Sequence, residues 1–192
     1  YVNLDSQGAP IQKISSVWLH SDTSLGRVED KTLLDDIVNV KGEEVPEVDG
    51  NKVIWDTDKK DIFYQGTANK DLPVSVKVKY YLDGKEMDPK EMLGKSGEVK
   101  IDVFVDNKDK HTIKLDDGNE KSVCTPFSSV VVMNLPIDTF SNVKANSGKI
   151  VSDGNNQVLT YVALPGLKDS LDLDTNVIDI PEYLSVTADV NE

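Results

Sequence analysis

The sequence predicts a mainly β fold, either an immunoglobulin-like sandwich or an open barrel of short antiparallel strands, with two short helices. Apolar and polar residues alternate with period two in Val74–Leu82 and Val99–Val105, which is typical of strands with one buried face. About ten strand-like segments are separated by turn residues roughly every 8–12 positions, as in sandwiches and barrels. The 192 residues, 38% of them hydrophobic, are enough for one large β domain or two small ones.

Residues 1–72 are predicted to form a small mixed α/β lobe, which begins with strands at 1–4 and 11–20. A helix is predicted next, because Asp30 is placed as its N-cap and Gly42 is placed to end it. The apolar residues between them have helical spacing and are Leu33, Leu34, Ile37 and Val38.

A hairpin and a loop complete this lobe. Asp49-Gly50 is a tight-turn dipeptide between the strand-like segments Glu44–Val48 and Asn51–Asp56. Residues 57–73 are predicted to be a loop with a short apolar cluster at 62–64. We place the domain boundary near 71–73, and a single continuous domain is nearly as well supported.

Residues 73–192 are predicted to form the β-sandwich. Asp88-Pro89 begins a short helix between the two alternating strands, with Asp as N-cap and Pro at the first helical position. The run Phe127–Leu135 is apolar on both faces, which favours a central strand. Further strands are predicted at 112–115, 120–123, 149–152, 157–164 and 184–190.

Charge and cysteine content limit the possible partners. With 21 Lys and Arg against 34 Asp and Glu, the net charge of −13 disfavours nucleic acid and anionic membrane surfaces. The single cysteine, Cys124, cannot form an internal disulfide, which fits the cytosol or the surface of a cell that makes little use of disulfides. The chain starts at Tyr1 inside a predicted strand, so we expect it to be a piece of a longer protein.

Catalytic chemistry has little support in the sequence. Cys124 and His111 are the one possible thiol–imidazole pair, but no local cysteine-protease motif surrounds Cys124, which is better interpreted as a small hydrophobic residue. A Ser-His-Asp triad would have to use His20 or His111, and no G-x-S-x-G motif is present. We predict no catalytic residues and no cofactor.

Acidic and aromatic residues leave two weaker hypotheses. Asp172 and Asp174 begin a calcium-loop-like motif, but Val177 replaces its glycine and Tyr183 its final glutamate. A looser calcium site would use Asp172, Asp174 and Asp179, and a solvated acidic loop is the preferred interpretation. A pair of carboxylates could also serve glycoside hydrolysis, although the chain has few aromatic residues to line a cleft.

Exposed aromatic residues could form a sugar-stacking surface. The candidates are Trp55, Phe63, Tyr64 and Tyr81. An apolar cluster beneath a loop is the commoner explanation of such residues, and we favour it.

Several segments together resemble the extracytoplasmic domain of the YhgE and phage-infection-protein class of Gram-positive membrane proteins, including relatives with Leu/Gly heptad repeats. The resemblance spans nearly the whole chain and is carried by Val40–Gly42, Asp61–Gly66, Val74–Lys85, Lys95–Ile101, Val151–Asn155, Ala163–Leu167 and Ile180–Asp189. It implies an outward-facing module of a longer, membrane-anchored chain and supplies no catalytic residues.

The expected function is therefore a non-enzymatic extracellular module that positions or recognises an envelope, export or phage partner. The alternative is a carbohydrate-active or metal-dependent enzyme built on a β-sandwich. If the parent chain enters and leaves this domain on the same side, the first and last strands, Tyr1–Leu4 and Leu184–Val190, should be antiparallel neighbours in one sheet.

Overall fold

The computed structural model describes residues 1–174 and 180–190. The predicted mainly β fold is confirmed, with 59% of the chain in strands, 5% in two short helices, and several antiparallel sheets. Within the described residues, these sheets do not close into a barrel. The chain divides into two compact units, Tyr1–Asp5 with Pro10–Asp71 and Ser6–Ala9 with Leu72–Glu192.

The first unit contains two antiparallel sheets and seven strands among its residues. Its strands are β1 (Val2–Leu4), β2 (Pro10–His20), β3 (Gly26–Lys31), β4 (Leu34–Asn39), β5 (Glu47–Asp49), β6 (Lys52–Thr57) and β7 (Asp61–Ala68). One sheet has the order β1-β2-β7-β4 and the other has the order β3-β6-β5.

The two sheets of the first unit share a small, dense core. Val53 and Trp55 of β6 pack with Ile62 and Tyr64 of β7, and all four are at most 1% exposed. Because these residues come from different sheets, the unit is itself a small sandwich, whose core is extended by half-buried side chains of β2, β3 and β4.

The helix predicted from Asp30 is wrong, since β3 and β4 occupy that segment. Leu34 and Ile37 both pack on the core, although positions three apart in a regular strand point to opposite faces. A register shift between Asp35 and Val38, with Asp36 at φ 50°, adds the residue that brings both side chains inward. This β-bulge therefore produces a helix-like apolar spacing within a strand, and the first unit has no helix among its described residues.

The loop predicted over 57–73 is also wrong, because β7 fills much of it. Ile62, Tyr64 and Gly66 are buried, in alternation with Phe63 and Gln65. A Cβ at Gly66 would lie 2.7 Å from the Asp35 carbonyl oxygen, so glycine permits the close approach of β4. The glycine that obscured the strand pattern is thus required by the sheet.

The second unit contains the remaining strands and both helices. In chain order they are β8 (Val74–Leu82), β9 (Lys85–Glu86), α1 (Pro89–Met92), β10 (Gly97–Asn107), β11 (Lys110–Lys114), β12 (Glu120–Cys124), β13 (Ser129–Pro136), β14 (Phe140–Ala145), β15 (Lys149–Ser152), β16 (Asn156–Ala163), α2 (Leu167–Leu171) and β17 (Tyr183–Val190). Three sheets result, with orders β14-β17-β10-β8-β9, β13-β16-β15 and β11-β12.

The core of the second unit lies between its two larger sheets. Val103, Leu184 and Val186 of the five-stranded sheet pack with Leu159 and Tyr161 of the three-stranded sheet. Val74–Leu82 and Val99–Val105 are strands whose valine faces turn towards this core, as their alternation predicts. The structure also shows that they pair with each other. Asp88 caps α1 by accepting a hydrogen bond from the Lys90 backbone N–H.

Two strand positions in this unit differ from the prediction. β13 is at the edge of its sheet rather than in its centre, and Val130 and Val132 on its outer face are exposed. β14 was not predicted, and it pairs with β17 through a register shift at which Asn142 has φ 52°.

The predicted pairing of the first and last strands is wrong. β1 pairs with β2 in the first unit, whereas β17 pairs with β10 and β14 in the second. The described residues include no helix that is both long and apolar enough to cross a membrane.

Candidate functional site

The outer face of the four-stranded sheet carries three cross-strand pairs from β2 and β7. They are Ser16–Gln65, Trp18–Phe63 and His20–Asp61, and we call this set of six residues the Trp18 face. The residues between them, such as Val17 and Ile62, point to the core, because successive side chains of a strand alternate between its two faces. The sheet thereby presents two aromatic rings between two rows of polar side chains.

The two rings are nearly parallel. The Trp18 and Phe63 ring centroids are 5.6 Å apart, with an interplanar angle of 4°. The Lys41 ammonium lies 3.9 Å from the Phe63 ring centroid, within cation–π range. Phe63 is half-buried, whereas Trp18 is 60% exposed. Trp18 is therefore the ring with most surface open to solvent.

Asp61 fixes the orientation of two neighbouring side chains. Trp18 Nε1 donates a hydrogen bond to Asp61 Oδ1 at 2.7 Å. His20 Nδ1 lies 2.7 Å from the same oxygen and donates to it, because a carboxylate can only accept. These bonds, first that from His20 and then that from Trp18, hold the pKa of Asp61 below its ordinary value.

The His20–Asp61 pair does not extend to a catalytic triad. An aspartate bound to one imidazole nitrogen is half of such a triad, whose other nitrogen would face a serine hydroxyl. His20 Nε2 instead lies 3.8 Å from Asp22 Oδ1. The arrangement orients the imidazole ring beside Trp18, with a ring-centroid distance of 5.2 Å.

The predicted sugar-stacking residues do not form one surface. Trp55 and Tyr64 are fully buried in the first core, with ring centroids 5.5 Å apart. Tyr81 is a half-buried residue of the second unit, and the Lys100 ammonium lies 4.1 Å from its ring centroid. Of the four candidates, only Phe63 belongs to the Trp18 face.

Trp18, the main aromatic residue of this face, was missed in the sequence. The signal that could have found it is the alternation in Ser16–His20, where Val17 and Leu19 are apolar and half-buried. In a one-sided strand this alternation puts Trp18 on the solvent side. An exposed tryptophan opposite a phenylalanine could be recognised only once β7 was known to be its partner.

Cys124 and His111 are on opposite faces of the β11–β12 hairpin. Cys124 pairs with Lys110, and His111 pairs with the preceding residue, Val123. His111 Nε2 contacts Thr125 Oγ1 at 2.9 Å and Asp109 Oδ1 at 3.1 Å. The Cys124 side chain packs where a Cβ on Gly166 would be, so this cysteine fills space beside a turn.

The calcium hypothesis is tested only in part. Asp172 forms an ion pair with Lys121, while Asp179 lies outside the described residues. Among the residues that the structure describes, no group of three or more His, Cys, Asp or Glu side chains could hold a metal ion. The preference for a solvated acidic loop stays a prediction.

Three pockets among the described residues lie in the second unit. One, of about 170 Å³, is lined by residues that include Asp106, Asp169 and Glu182. Glu182 lies 3.7 Å from the Lys168 ammonium, and Asp106 pairs with Lys108. Another, of about 280 Å³, is a mainly apolar groove beside α1 and the end of the five-stranded sheet. A third, of about 380 Å³, is lined by residues that include Lys77 and Phe104.

The Trp18 face thus combines an open ring, a fixed ring orientation and flanking polar groups, which are the properties of a contact surface. None of the three pockets is lined by an aromatic ring as exposed as Trp18. Comparisons with protein-family models, with curated proteins and with solved structures find no match for this chain.

Proposed function

We propose that this chain is a non-enzymatic recognition module, exposed at the outer face of a Gram-positive cell membrane as part of a longer anchored chain. In this role it positions or recognises an envelope, export or phage partner. The proposal rests on the resemblance to the YhgE and phage-infection-protein class and on the Trp18 face.

The segments that carry the resemblance are compatible with this proposal. Several of them form turns at glycines with positive φ, namely Gly84, Gly154 and Gly166. Two others contribute to the candidate surface: Val40–Gly42 supplies Lys41, and Asp61–Gly66 supplies Asp61 and Phe63. The resemblance therefore includes residues of the contact surface as well as residues of the scaffold.

The exposure of Trp18 is the observation that supports recognition best. A tryptophan is among the most effective side chains for binding, and leaving one 60% exposed forgoes burial that would stabilise the fold. The hydrogen bond to Asp61 also limits the orientations of the ring before any partner arrives. A surface that is ordered in advance loses less conformational entropy on binding.

The pocket lined by Asp106, Asp169 and Glu182 favours the alternative function, a carbohydrate-active enzyme. Glycoside hydrolysis needs two carboxyl groups on either side of the scissile bond. If this alternative is correct, the chain should release reducing ends from envelope polysaccharide, and Glu182→Gln should slow that release.

Binding to isolated Gram-positive cell envelopes tests the proposal. The purified chain is mixed with envelopes and sedimented, and the bound fraction is measured by fluorescence of an N-terminal label. We expect the wild type to cosediment and Trp18→Ala to weaken the apparent affinity by about tenfold, as for the loss of an aromatic hot spot. Surface location is tested separately, by cleavage of the parent chain when protease is added to intact cells.

Leu93→Ala is the matched control, because Leu93 is a large apolar side chain that is 80% exposed and belongs to the second unit. It should cosediment as the wild type does. Equal binding by the wild type and Trp18→Ala, or no binding by either, would contradict the proposed role of this surface.

A further inference from the structure

The chemistry of the Trp18 face indicates what kind of ligand it fits. Trp18 is 60% exposed, while the Lys41 ammonium lies over the Phe63 ring at 3.9 Å. The exposed face of the Trp18 indole is thus available to a ligand, and Phe63 packs against the indole as a parallel ring. Such a flat apolar surface suits a ligand that has a flat apolar face.

Polar groups border the rings on both sides along the strands. Gln65 Nε2 donates to Ser16 Oγ at 3.0 Å in one row, and His20 and Asp61 form the other row. Each row is two residues from the rings, which is roughly 7 Å along a strand. Donors and acceptors at this distance can reach hydroxyl groups at the rim of a ring that is stacked on the indole.

The local charge favours a neutral ligand. Lys41 and Asp61 have opposite charges, and Asp22 lies 3.8 Å from His20 Nε2 at one end of the face. The remaining residues of the face are uncharged, namely Ser16, Trp18, Phe63 and Gln65. The whole chain carries −13, which repels anionic ligands through the field of the protein. A cationic ligand would compete with Lys41, which already occupies the Phe63 ring.

A carbohydrate meets all three conditions, because a pyranose ring has an apolar C–H face, a rim of hydroxyls and no charge. We propose that the Trp18 face is a binding site for a neutral carbohydrate chain, with one sugar ring stacked on the Trp18 indole and its hydroxyls bonded to the flanking rows. This proposal deepens the proposed recognition function and rests on it.

The site is ordered before binding. Asp61 Oδ1 accepts hydrogen bonds from both Trp18 Nε1 and His20 Nδ1, at 2.7 Å each. The indole N–H is therefore directed at the carboxylate, and the exposed face of the ring remains for stacking. Asp61→Asn should weaken binding without removing the ring, because it replaces a charged acceptor by a neutral amide.

Titration of the whole chain with three neutral hexasaccharides tests the proposal. The probes are chitohexaose, cellohexaose and maltohexaose, and binding is followed by calorimetry and by tryptophan emission. At least one probe should bind and shift the emission to shorter wavelength, since Trp18 is exposed and Trp55 is already buried. Trp18→Ala should weaken that binding about tenfold or more, Trp18→Phe less, and Leu93→Ala not at all.

Thermal unfolding of each variant separates loss of binding from loss of folding, and Trp18→Phe retains a ring if Trp18→Ala proves unstable. The proposal is overturned if none of the three hexasaccharides binds, or if Trp18→Ala binds as tightly as the wild type. It is also overturned if polygalacturonate, an anionic probe, binds more tightly than every neutral one.

The two proposals can fail separately. If envelope binding depends on Trp18 but no hexasaccharide binds, the carbohydrate proposal is contradicted and the recognition function is supported. Hexasaccharide binding without envelope binding would support the carbohydrate site and contradict the proposed envelope partner.

Discussion

The two tryptophans of this chain occupy opposite environments within the same unit. Trp55 is fully buried, and its Nε1 has no hydrogen-bond partner among the described residues. Trp18 is 60% exposed, and its Nε1 donates to Asp61. Each faces a ring of β7 at nearly the same distance, Tyr64 at 5.5 Å and Phe63 at 5.6 Å.

The hydrogen bonding of the two indole N–H groups is the reverse of what is usual for buried and exposed polar groups. Buried polar groups normally have partners, while exposed ones can bond to water. Here the exposed indole has the fixed partner, so its bond to Asp61 contributes orientation more than stability. Trp55 stabilises the core through its area, and Trp18 is held ready for contact.

Truncation of each tryptophan to alanine should give the largest difference between the two sites. We expect Trp55→Ala to lower the free energy of unfolding by about 3–5 kcal/mol, because it leaves a cavity in a small core. Trp18→Ala should lower it by at most about 1 kcal/mol. Urea denaturation measures both, and equal losses would contradict the division of roles. Trp55→Phe should cost less than Trp55→Ala, because both remove the unpaired N–H but phenylalanine leaves the smaller cavity.

Removal of the Tyr64 hydroxyl should lower the stability by a smaller amount. It donates to Asp30 Oδ2, and Tyr64→Phe should lower the free energy of unfolding by about 1–3 kcal/mol because the carboxylate loses a part-buried partner. The control is Tyr183→Phe in the second unit, at a ring that is 37% exposed. If Tyr183→Phe lowered the free energy of unfolding as much as Tyr64→Phe does, the stabilising role of the Tyr64–Asp30 hydrogen bond would be contradicted.

The buried hydroxyl of Tyr64 should also make stability depend on alkaline pH. Burial and then the hydrogen bond to Asp30 raise the pKa of Tyr64 well above its ordinary value. The unfolded chain releases this proton near pH 10, before the folded chain does, so stability falls as the pH rises above about 10. Tyr64→Phe should show a shallower fall in melting temperature between about pH 9 and 11 than the wild type. Identical slopes would argue against this pKa shift.

The smallest expected effect concerns Asp61. Its pKa is lowered in the folded state, so its contribution to stability is present above its unfolded pKa of about 3.9 and is lost as the pH falls through the folded value. The melting temperatures of the wild type and Asp61→Asn should therefore differ slightly at neutral pH and converge at the acid end. A difference that persists unchanged in acid would show that the carboxylate charge is not its cause.

Much of the fold could be predicted from period-two alternation. Strands β8, β10 and β17 have one apolar face and were found with nearly their observed bounds. The errors lie where a local backbone feature alters that period. The bulge at Asp36 gave Leu34 and Ile37 a helical spacing, and Gly66 interrupted β7 although the neighbouring strand requires it.

The candidate site was harder to predict, because it depends on cross-strand pairing. Phe63 was named as a candidate, but its partner Trp18 is 45 positions earlier in the chain. Their apposition follows from the β2–β7 register, which a single sequence does not specify. The position of β13 was wrongly predicted for the same reason, because strand order also depends on pairing. Its apolar residues favoured a central strand, whereas β13 is an edge strand in which Val130 and Val132 are exposed.

The bulge in β4 makes one residue between Leu34 and Ile37 an excess over a regular strand. Deletion of Asp36 would leave these two residues two positions apart, so in a regular strand both side chains would still point to the first core. Deletion of a second residue would make Leu34 and Ile37 adjacent, and one of them would leave the core. Among relatives of this domain, loss of one residue at this point should therefore be tolerated, and loss of two should be excluded.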